Sequence, residues 1–416
     1  MVKKMKIIIF VSLFSLTLFI PNYSEQKSDK TYDQLKLLVD ILTYVQDNYV
    51  EETNVQELIY GAASGMLKPL DPYTQFMEPD SYKEMKIETE GKYGGLGIRI
   101  TIQDNWLTVV TPLLGTPAYR LGILPGDKII KIDGESTSGI TITEAVKKLR
   151  GQPGTKVTIT IAREGLKDPV DYTIVREIIK IETSRWKLID NIGYVRLYEF
   201  NSNSLDDMKK ALNELTSKNI KGLILDLRNN PGGLLDSAVD IVRLFLGDNK
   251  LIVSTKGRIP QSNREYYAMK EAPYEKIPLV VLTNKGSASG SEIVAGALQD
   301  HKRAIIIGSR TFGKASVQSV LPLDNGCGLR LTTAKYYTPS GKCIHKDKTH
   351  EGGIEPDIKI ELSPEIEAKL YQQQELIYPE GKEPKKDEKK EVVSDIVLER
   401  AVEILKARDI LLQTQQ

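Results

Sequence analysis

This sequence predicts a multidomain α/β protein: N-terminal helices, a β-rich middle unit, an α/β core and a closing C-terminal helix. Three observations carry that prediction. Residues 32–67 place apolar side chains at helical spacing; residues 92–176 alternate in short runs punctuated by glycine turns; and from about 185 to 331 strand-like and helix-like stretches succeed one another, the pattern of a layered core. With 416 residues, 40% of them hydrophobic, the chain is long enough for two or three globular domains. Its 57 basic and 56 acidic residues nearly cancel, and no basic aromatic patch appears, so nothing in the charge points to nucleic acid.

Lys3, Lys4 and Lys6 precede an apolar run over residues 7–20. As a helix that run reaches only ~21 Å against a ~30 Å hydrocarbon core, so residues 1–22 read as a secretory signal. No small-x-small cleavage site follows, which leaves an uncleaved inner-membrane tether open. Either way the body is expected outside the cytoplasm, in the periplasm or cell envelope. Two cysteines, Cys327 and Cys343, make no disulfide framework. Residues 28–85 form the N-terminal segment, where Leu35, Leu38, Val39, Leu42 and Val45, then Leu58, Ile59, Ala62 and Met66, recur with helical period around a break at 50–54. This reads as a helical hairpin with a packing or linking role, ended by the turn Leu70-Asp71-Pro72-Tyr73-Thr74.

Residues 92–176 open on Gly94-Gly95-Leu96-Gly97-Ile98 and alternate as strands through Val110. Gly122-Ile123-Leu124-Pro125-Gly126-Asp127 and Asp133-Gly134 mark turns, a helix is expected over 141–149, and a strand over 156–162. In the core, 177–365, strands are expected at 192–197, 221–227, 278–283 and 304–308, with helices at 205–217 (Ser204 as cap), 234–246 and 290–300. Residues 366–416 hold a charged linker, Lys-Glu-Pro-Lys-Lys-Asp-Glu-Lys-Lys-Glu within 379–391, and an amphipathic helix. Its apolar residues Ile396, Val397, Ala401, Ile404, Leu405 and Leu412 need a partner surface, either the chain's own core or a second copy in a homodimer.

The chemistry concentrates at residues 278–323. A buried strand, 278–283, turns into the small-residue helix at 290–300, and Ser289 stands at the helix mouth. With Glu292 three positions on, Ser289 fits a capping box. The same position exposes a hydroxyl beside unpaired N–H groups and a positive dipole end, where an oxyanion would be stabilised. No histidine suits as base. His301 lies twelve residues along, ~18 Å if the helix is regular, and His345 and His350 read as solvated surface residues in a Lys-rich loop. Lys314, in the turn Phe312-Gly313-Lys314, is the candidate. Its ordinary pKa of ~10.4 leaves it charged, and burial would have to bring it toward neutrality. Gln318, four residues on along a strand, shares its face and could hold the amine.

These residues carry a resemblance. Gly286-Ser287-Ala288-Ser289-Gly290-Ser291-Glu292-Ile293, followed by Phe312-Gly313-Lys314 and Gln318, resembles the C-terminal processing peptidases, or tail-specific proteases. The resemblance implies Ser289 as nucleophile, Lys314 as general base and Gln318 as its orienting residue. Gly290 stands where the family usually has alanine. Arg228-Asn229-Asn230-Pro231-Gly232-Gly233 resembles the family's other oxyanion segment, which assigns the N–H groups of Gly232 and Gly290 to the oxyanion. The middle unit resembles a PDZ domain, in which Leu96, Gly97 and Ile98 would receive a peptide's terminal carboxylate by strand addition. Leu124 replaces a basic residue common before Pro-Gly-Asp. The segment at 343–350 departs from the family pattern. The family further implies a spiral core of the crotonase and Clp-protease type, no metal or other cofactor, and protein substrates with free, apolar C-termini. A silent scaffold that binds tails without cutting them, and a Ser-His-Asp hydrolase, are the readings set against it.

Overall fold

The computed structural model describes residues 25–113, 115–163, 165–374 and 393–413. The signal-like run at 1–22 lies outside the described residues, as does nearly all of the charged linker. Among the described residues no helix is long and apolar enough to cross a membrane. The chain divides into two units, residues 1–70 and 71–416.

The described residues of the first unit form two helices, α1 (Glu25–Asn48) and α2 (Val55–Leu67), with the break where the periodicity lapses. Asn54 starts α2 by accepting the Gln56 N–H at 3.0 Å, an N-cap of the usual kind. The predicted apolar stripe is largely exposed: Leu35, Leu38, Val39, Leu58, Ile59 and Met66 all face solvent.

In the second unit, β1 (Gln75–Met77) leads to α3 (Pro79–Glu90), which carries proline at its first turn. The β-rich middle follows. Strands β2 (Lys92–Gly95), β3 (Ile98–Gln103) and β4 (Trp106–Pro112) precede a single turn of helix, α4 (Pro117–Arg120). Then come β5 (Lys128–Ile132), β6 (Glu135–Ser136), α5 (Ile142–Leu149), β7 (Lys156–Ala162), β8 (Val170–Val175) and β9 (Glu177–Lys180). The antiparallel order is β3-β4-β5-β7-β8, with β6 on β5 and a separate β2-β9 ladder. On β7 the buried residues Val157, Ile159 and Ile161 alternate with less buried neighbours, the two-residue period of a half-buried strand. They pack with Leu107, Ile129 and Ala145. Each fully buried isoleucine contributes about 1.5–3 kcal/mol relative to exposure. Asp127 of the Pro-Gly-Asp turn is buried, and both its oxygens accept from Arg163, at 2.6 and 2.7 Å.

The core begins with the hairpin β10 (Ser184–Ile189) and β11 (Ile192–Leu197), then α6 (Ser204–Ser217), β12 (Gly222–Asp226) and α7 (Leu235–Arg243). Ser204 proves to be the first helical residue rather than the cap, because its hydroxyl is taken up by the preceding turn, accepting the Asn201 N–H at 2.8 Å. Strands β13 (Leu251–Gly257), β14 (Arg264–Tyr267) and β15 (Leu279–Thr283) lead to α8 (Gly290–Asp300) and β16 (Ile305–Gly308). Strands β17 (Ser316–Pro322), β18 (Gly328–Tyr337) and β19 (Ile358–Lys359) and helices α9 (Pro364–Gln374) and α10 (Ile396–Gln413) complete it.

The main sheet runs β10-β11-β12-β15-β16-β19 and is parallel from β11 onward. Strands β12 and β15 are buried at every position, as parallel strands covered on both faces must be. Leu223, Leu225 and Val281 point toward α6, α7 and α8. Ile224, Val280 and Leu282 point the other way, onto Val397, Ala401 and Leu405 of α10. The apolar face of the C-terminal helix thus docks on the chain's own core. Arg228 reinforces the docking with two 2.8 Å bonds to the Asp395 carboxylate while also pairing with buried Asp226. A second sheet runs β1-β18-β13-β14, with β17 alongside β18. Through β1, residues just beyond the N-terminal helices become part of the core. No disulfide joins Cys327, which is buried, to half-buried Cys343.

Candidate active site

Two loops at the carboxyl ends of neighbouring parallel strands meet here, the 227–234 loop after β12 and the 284–289 turn after β15. Asn229 and Asn284 exchange bonds of 2.8 and 2.9 Å. Asn230 offers its carbonyl to the Ala288 N–H at 3.0 Å and to the Ser291 hydroxyl at 2.9 Å. The Ser287 hydroxyl reaches the Leu227 carbonyl at 2.8 Å.

Ser289 sits in this frame with φ 51° and ψ −109°. An ordinary N-cap has extended backbone, whereas this conformation is one that glycine favours, and it costs about 1–3 kcal/mol in a residue with a side chain. The capping box with Glu292 is formed, but capping does not call for this backbone conformation. Such strain persists only where the surroundings enforce it, and strained strand-to-helix turns are where nucleophilic serines are presented.

Gly232 is pressed against the same turn. A Cβ there would lie 2.7 Å from the Ala288 carbonyl oxygen, the Gly290 nitrogen and the Ser289 Cβ, and its φ is +98°. Only glycine meets both conditions. Its N–H donates to Asn230 Oδ1 at 2.9 Å, so that donor is engaged in this arrangement. Gly290 opens α8, at the end where N–H groups lack intrahelical partners. A Cβ on Gly290 would stand 3.0 Å from the Phe200 ring, so that buried ring fills the space next to it.

Glu292 connects Ser289 to Lys314. It is fully buried, and each of its oxygens accepts two short bonds, with the Tyr336 hydroxyl a longer third donor to Oε2 at 3.5 Å. Oε2 takes the N–H groups of Ser289 (2.8 Å) and Lys314 (2.9 Å); Oε1 takes the Thr311 hydroxyl (2.6 Å) and the Gly313 N–H (2.7 Å). Two nitrogens bonded to one oxygen at 2.8 and 2.9 Å cannot be more than 5.7 Å apart, so the backbones of Ser289 and Lys314 are neighbours. Buried Tyr336 adds a second link, its hydroxyl 3.0 Å from the Ser289 carbonyl oxygen and 2.7 Å from that of Lys314. Burial raises the Glu292 pKa, and the four donors pull against it.

Lys314 is half-buried, its ammonium 4.5 Å from the centre of the Tyr73 ring. Its pKa is lowered, first by burial and then by the positive charge of Arg330, with Glu292 and Asp71 opposing. Gln318 meets Lys314 through an intermediary: its Nε2 donates to the Tyr73 carbonyl at 2.6 Å. Tyr73 belongs to the turn that the sequence suggested only as the end of the helical hairpin. Asp71 braces that turn, accepting from the N–H groups of Tyr73 and Thr74 at 2.8 Å each.

The histidines lie as follows. His301 caps the far end of α8 and bonds the Leu251 carbonyl, and His350 is exposed beside Asp347. His345 departs from the expected solvated residue. Its neighbour Ile344 is fully buried and the Lys346 N–H reaches the Gly313 carbonyl at 2.9 Å, so the loop lies on the Lys314 turn and burial lowers the imidazole pKa. Among the described residues no His/Cys/Asp/Glu group could hold a metal.

In the middle unit, β3 is an edge strand among the described residues, pairing only with β4 and lying near α5. Leu96 is buried and Ile98 begins β3. Gly97 turns the chain between them with φ +74°, its carbonyl accepting from the Leu113 N–H at 2.7 Å and the Thr116 hydroxyl at 3.1 Å. Leu124, in place of the basic residue, is exposed.

Comparison with known proteins bears on this arrangement. Residues 191–360 match the model of peptidase family S41. A carboxy-terminal-processing protease of Bartonella bacilliformis is 44% identical over 364 residues, covering 86% of this chain and 82% of that protein. The chain belongs to peptidase family S41, among the carboxy-terminal processing proteases. A Synechocystis member of that family is 36% identical over 79% of this chain and 81% of its own. Residues 108–163 match a PDZ domain, and residues 19–81 match the activating protease CtpB N-terminal domain. Among solved structures, a photosystem II D1 C-terminal processing protease aligns at 31% identity over 80% of this chain and 88% of that one, with a TM-score of 0.46. For this S41 member, the residues that sequence reasoning missed are Tyr73, Tyr336 and the linking role of Glu292. Only Glu292 gave a signal, its capping-box spacing, and that spacing accounts for one of its four short bonds.

Proposed function

We propose that this chain is a serine endopeptidase working through a Ser289–Lys314 dyad on proteins whose C-termini dock on its PDZ domain, outside the cytoplasm. Residues 92–176 serve as the docking domain and 177–365 as the catalytic core. Lys314, neutral when it acts, takes the Ser289 proton as the hydroxyl oxygen attacks the scissile carbonyl. The resulting oxyanion lies at the N-terminus of α8, with the Gly290 N–H and, once it exchanges its Asn230 bond, the Gly232 N–H as donors. Lys314 then protonates the leaving amine, and water repeats the sequence on the acyl-enzyme. Gln318 acts by fixing Tyr73. Leu96, Gly97 and Ile98 take the substrate's terminal carboxylate and last residues, with the free edge of β3 offering main-chain bonds.

The observation that carries this reading is the Glu292 oxygen shared by the N–H groups of Ser289 and Lys314, together with the strained backbone of Ser289. The test uses a folded reporter protein ending in an apolar tail, its products mapped by mass. Ser289→Ala and Lys314→Ala should each reduce cleavage to background while melting as wild type does. Cleavage at wild-type rate by either variant refutes the dyad, and binding of the tail by wild type without any cleavage makes the chain a scaffold.

A further inference from the structure

We propose that Tyr73 is a positioning residue for Lys314: its ring, braced from both sides, covers the amine and keeps it on the Ser289 side of the site. The inference rests on the dyad reading above. The bracing is specific. Asp71 holds the Tyr73 N–H at 2.8 Å, Gln318 holds the Tyr73 carbonyl at 2.6 Å, and Thr74 is tied to β18 by the Thr332 N–H at 3.1 Å. Two bonds to the Tyr73 backbone and a third that ties the Thr74 hydroxyl to β18 leave the turn, and the ring it carries, little freedom, and the ring face lies 4.5 Å from Lys314 Nζ. A ring so placed excludes water from an amine that must lose its charge to act, and its face still tolerates the ammonium that forms in each half-reaction.

The charges around Lys314 come from several elements. Arg330 on β18 disfavours the ammonium, whereas Glu292 on α8 and Asp71 before β1 favour it. Tyr73 itself has its pKa raised, chiefly by burial, so its phenol stays neutral. His345, in the loop packed on Gly313, has its pKa lowered by burial and so adds no charge at neutral pH. Removing the ring admits water, which relieves the burial that is the first cause of the lowered Lys314 pKa. The amine then needs a higher pH to become neutral.

The test compares Tyr73→Ala, Tyr73→Leu and Tyr73→Phe by kcat/KM against pH. It also titrates the Lys314 13Cε shift in a Ser289→Ala background, a measurement independent of turnover. Tyr73→Ala should move the acid limb upward, with about tenfold loss at pH 7 for each unit moved and recovery above the limb. Tyr73→Leu should fall between, and Tyr73→Phe should rescue the limb. If Tyr73→Ala does not fold, Tyr73→Leu carries the comparison. A loss uniform across pH with an unmoved 13Cε titration overturns the proposal, as does a Tyr73→Phe variant as impaired as Tyr73→Ala. Wild-type cleavage by Lys314→Ala overturns the dyad itself and is read separately.

Discussion

Replacing Glu292 with glutamine changes one heavy atom in a place where the geometry is fully committed. Each carboxylate oxygen accepts two short bonds, whose four donors lie between 2.6 and 2.9 Å. Glutamine has one oxygen to offer, and its NH2 must face the other pair. In the better orientation the oxygen stays with Ser289 and Lys314, the Thr311 hydroxyl turns to accept, and the Gly313 N–H is left buried and unpaired. That orphan costs about 1–3 kcal/mol, and the remaining bonds each lose part of the roughly 1 kcal/mol by which a charged acceptor exceeds a neutral one. Burial raises the Glu292 pKa, so the ionised form carries a desolvation cost at neutral pH that glutamine escapes, offsetting part of the loss. The expected net destabilisation is about 2–4 kcal/mol. Activity should suffer more, since a displacement of ~1 Å at a reacting group can cost ~100-fold. The two tryptophans, Trp106 and Trp186, lie in the middle unit and the core. Urea unfolding of a Trp106→Phe background therefore reports the core alone, alongside kcat/KM for a reporter substrate. A Glu292→Gln core that unfolds within about 0.5 kcal/mol of its parent and cleaves at the parent rate would refute the claim that this carboxylate ties the site together.

Two further outcomes follow from the same frame. Gly232→Ala puts a Cβ 2.7 Å from backbone atoms of the Ser289 turn at φ +98°, so the loop must move; kcat/KM should fall by ~100-fold or more with a lowered Tm, and a fully active variant would show that the loop does not need this close approach. Burial raises the pKa of Asp226, but Arg228 and Arg196 outweigh it and bring it to about 2. A carboxylate depressed below its unfolded value of 3.8 contributes stability above that pH and loses it as pH falls through about 2, on the order of 2 kcal/mol here. Acid unfolding followed between pH 4 and 2 should therefore flatten in Asp226→Asn, and an unchanged profile would place the acid sensitivity elsewhere.

How much of this was legible in the sequence varies with the range of the interaction. Strand-turn-helix order around Ser289 is local, written in residues 278–300, and the observed elements fall within a residue or two of the expected ones. The short Phe312-Gly313-Lys314 turn could likewise be singled out. The role of Tyr73 could not, because the carbonyl held by Gln318 lies 245 positions away and no periodicity encodes that meeting. The apolar face of the C-terminal helix was evident from its spacing, but its partner was not: Ile224, Val280 and Leu282 belong to strands buried on both faces, which do not reveal which face awaits a late helix. His345 was misjudged for a related reason. Lysines nearby in sequence suggested solvent, while the neighbouring Ile344 draws the loop onto the Lys314 turn.

Glu292 also resolves a conflict built into the proposed chemistry. A lysine that serves as base needs a fixed position, and the simplest way to fix an ammonium, a carboxylate partner, would hold its proton more firmly. Here the nearby carboxylate accepts from backbone N–H groups and a threonine hydroxyl on both oxygens. It orders the main chain on both sides of the dyad through bonds that do not involve the amine. Its field still favours the ammonium, but burial and Arg330 exceed that contribution and the net shift is downward. The amine itself meets an aromatic face, which restricts it without accepting its proton. Positioning and protonation are thus assigned to different groups, so the Lys314 turn can be held tightly without fixing the charge of the amine.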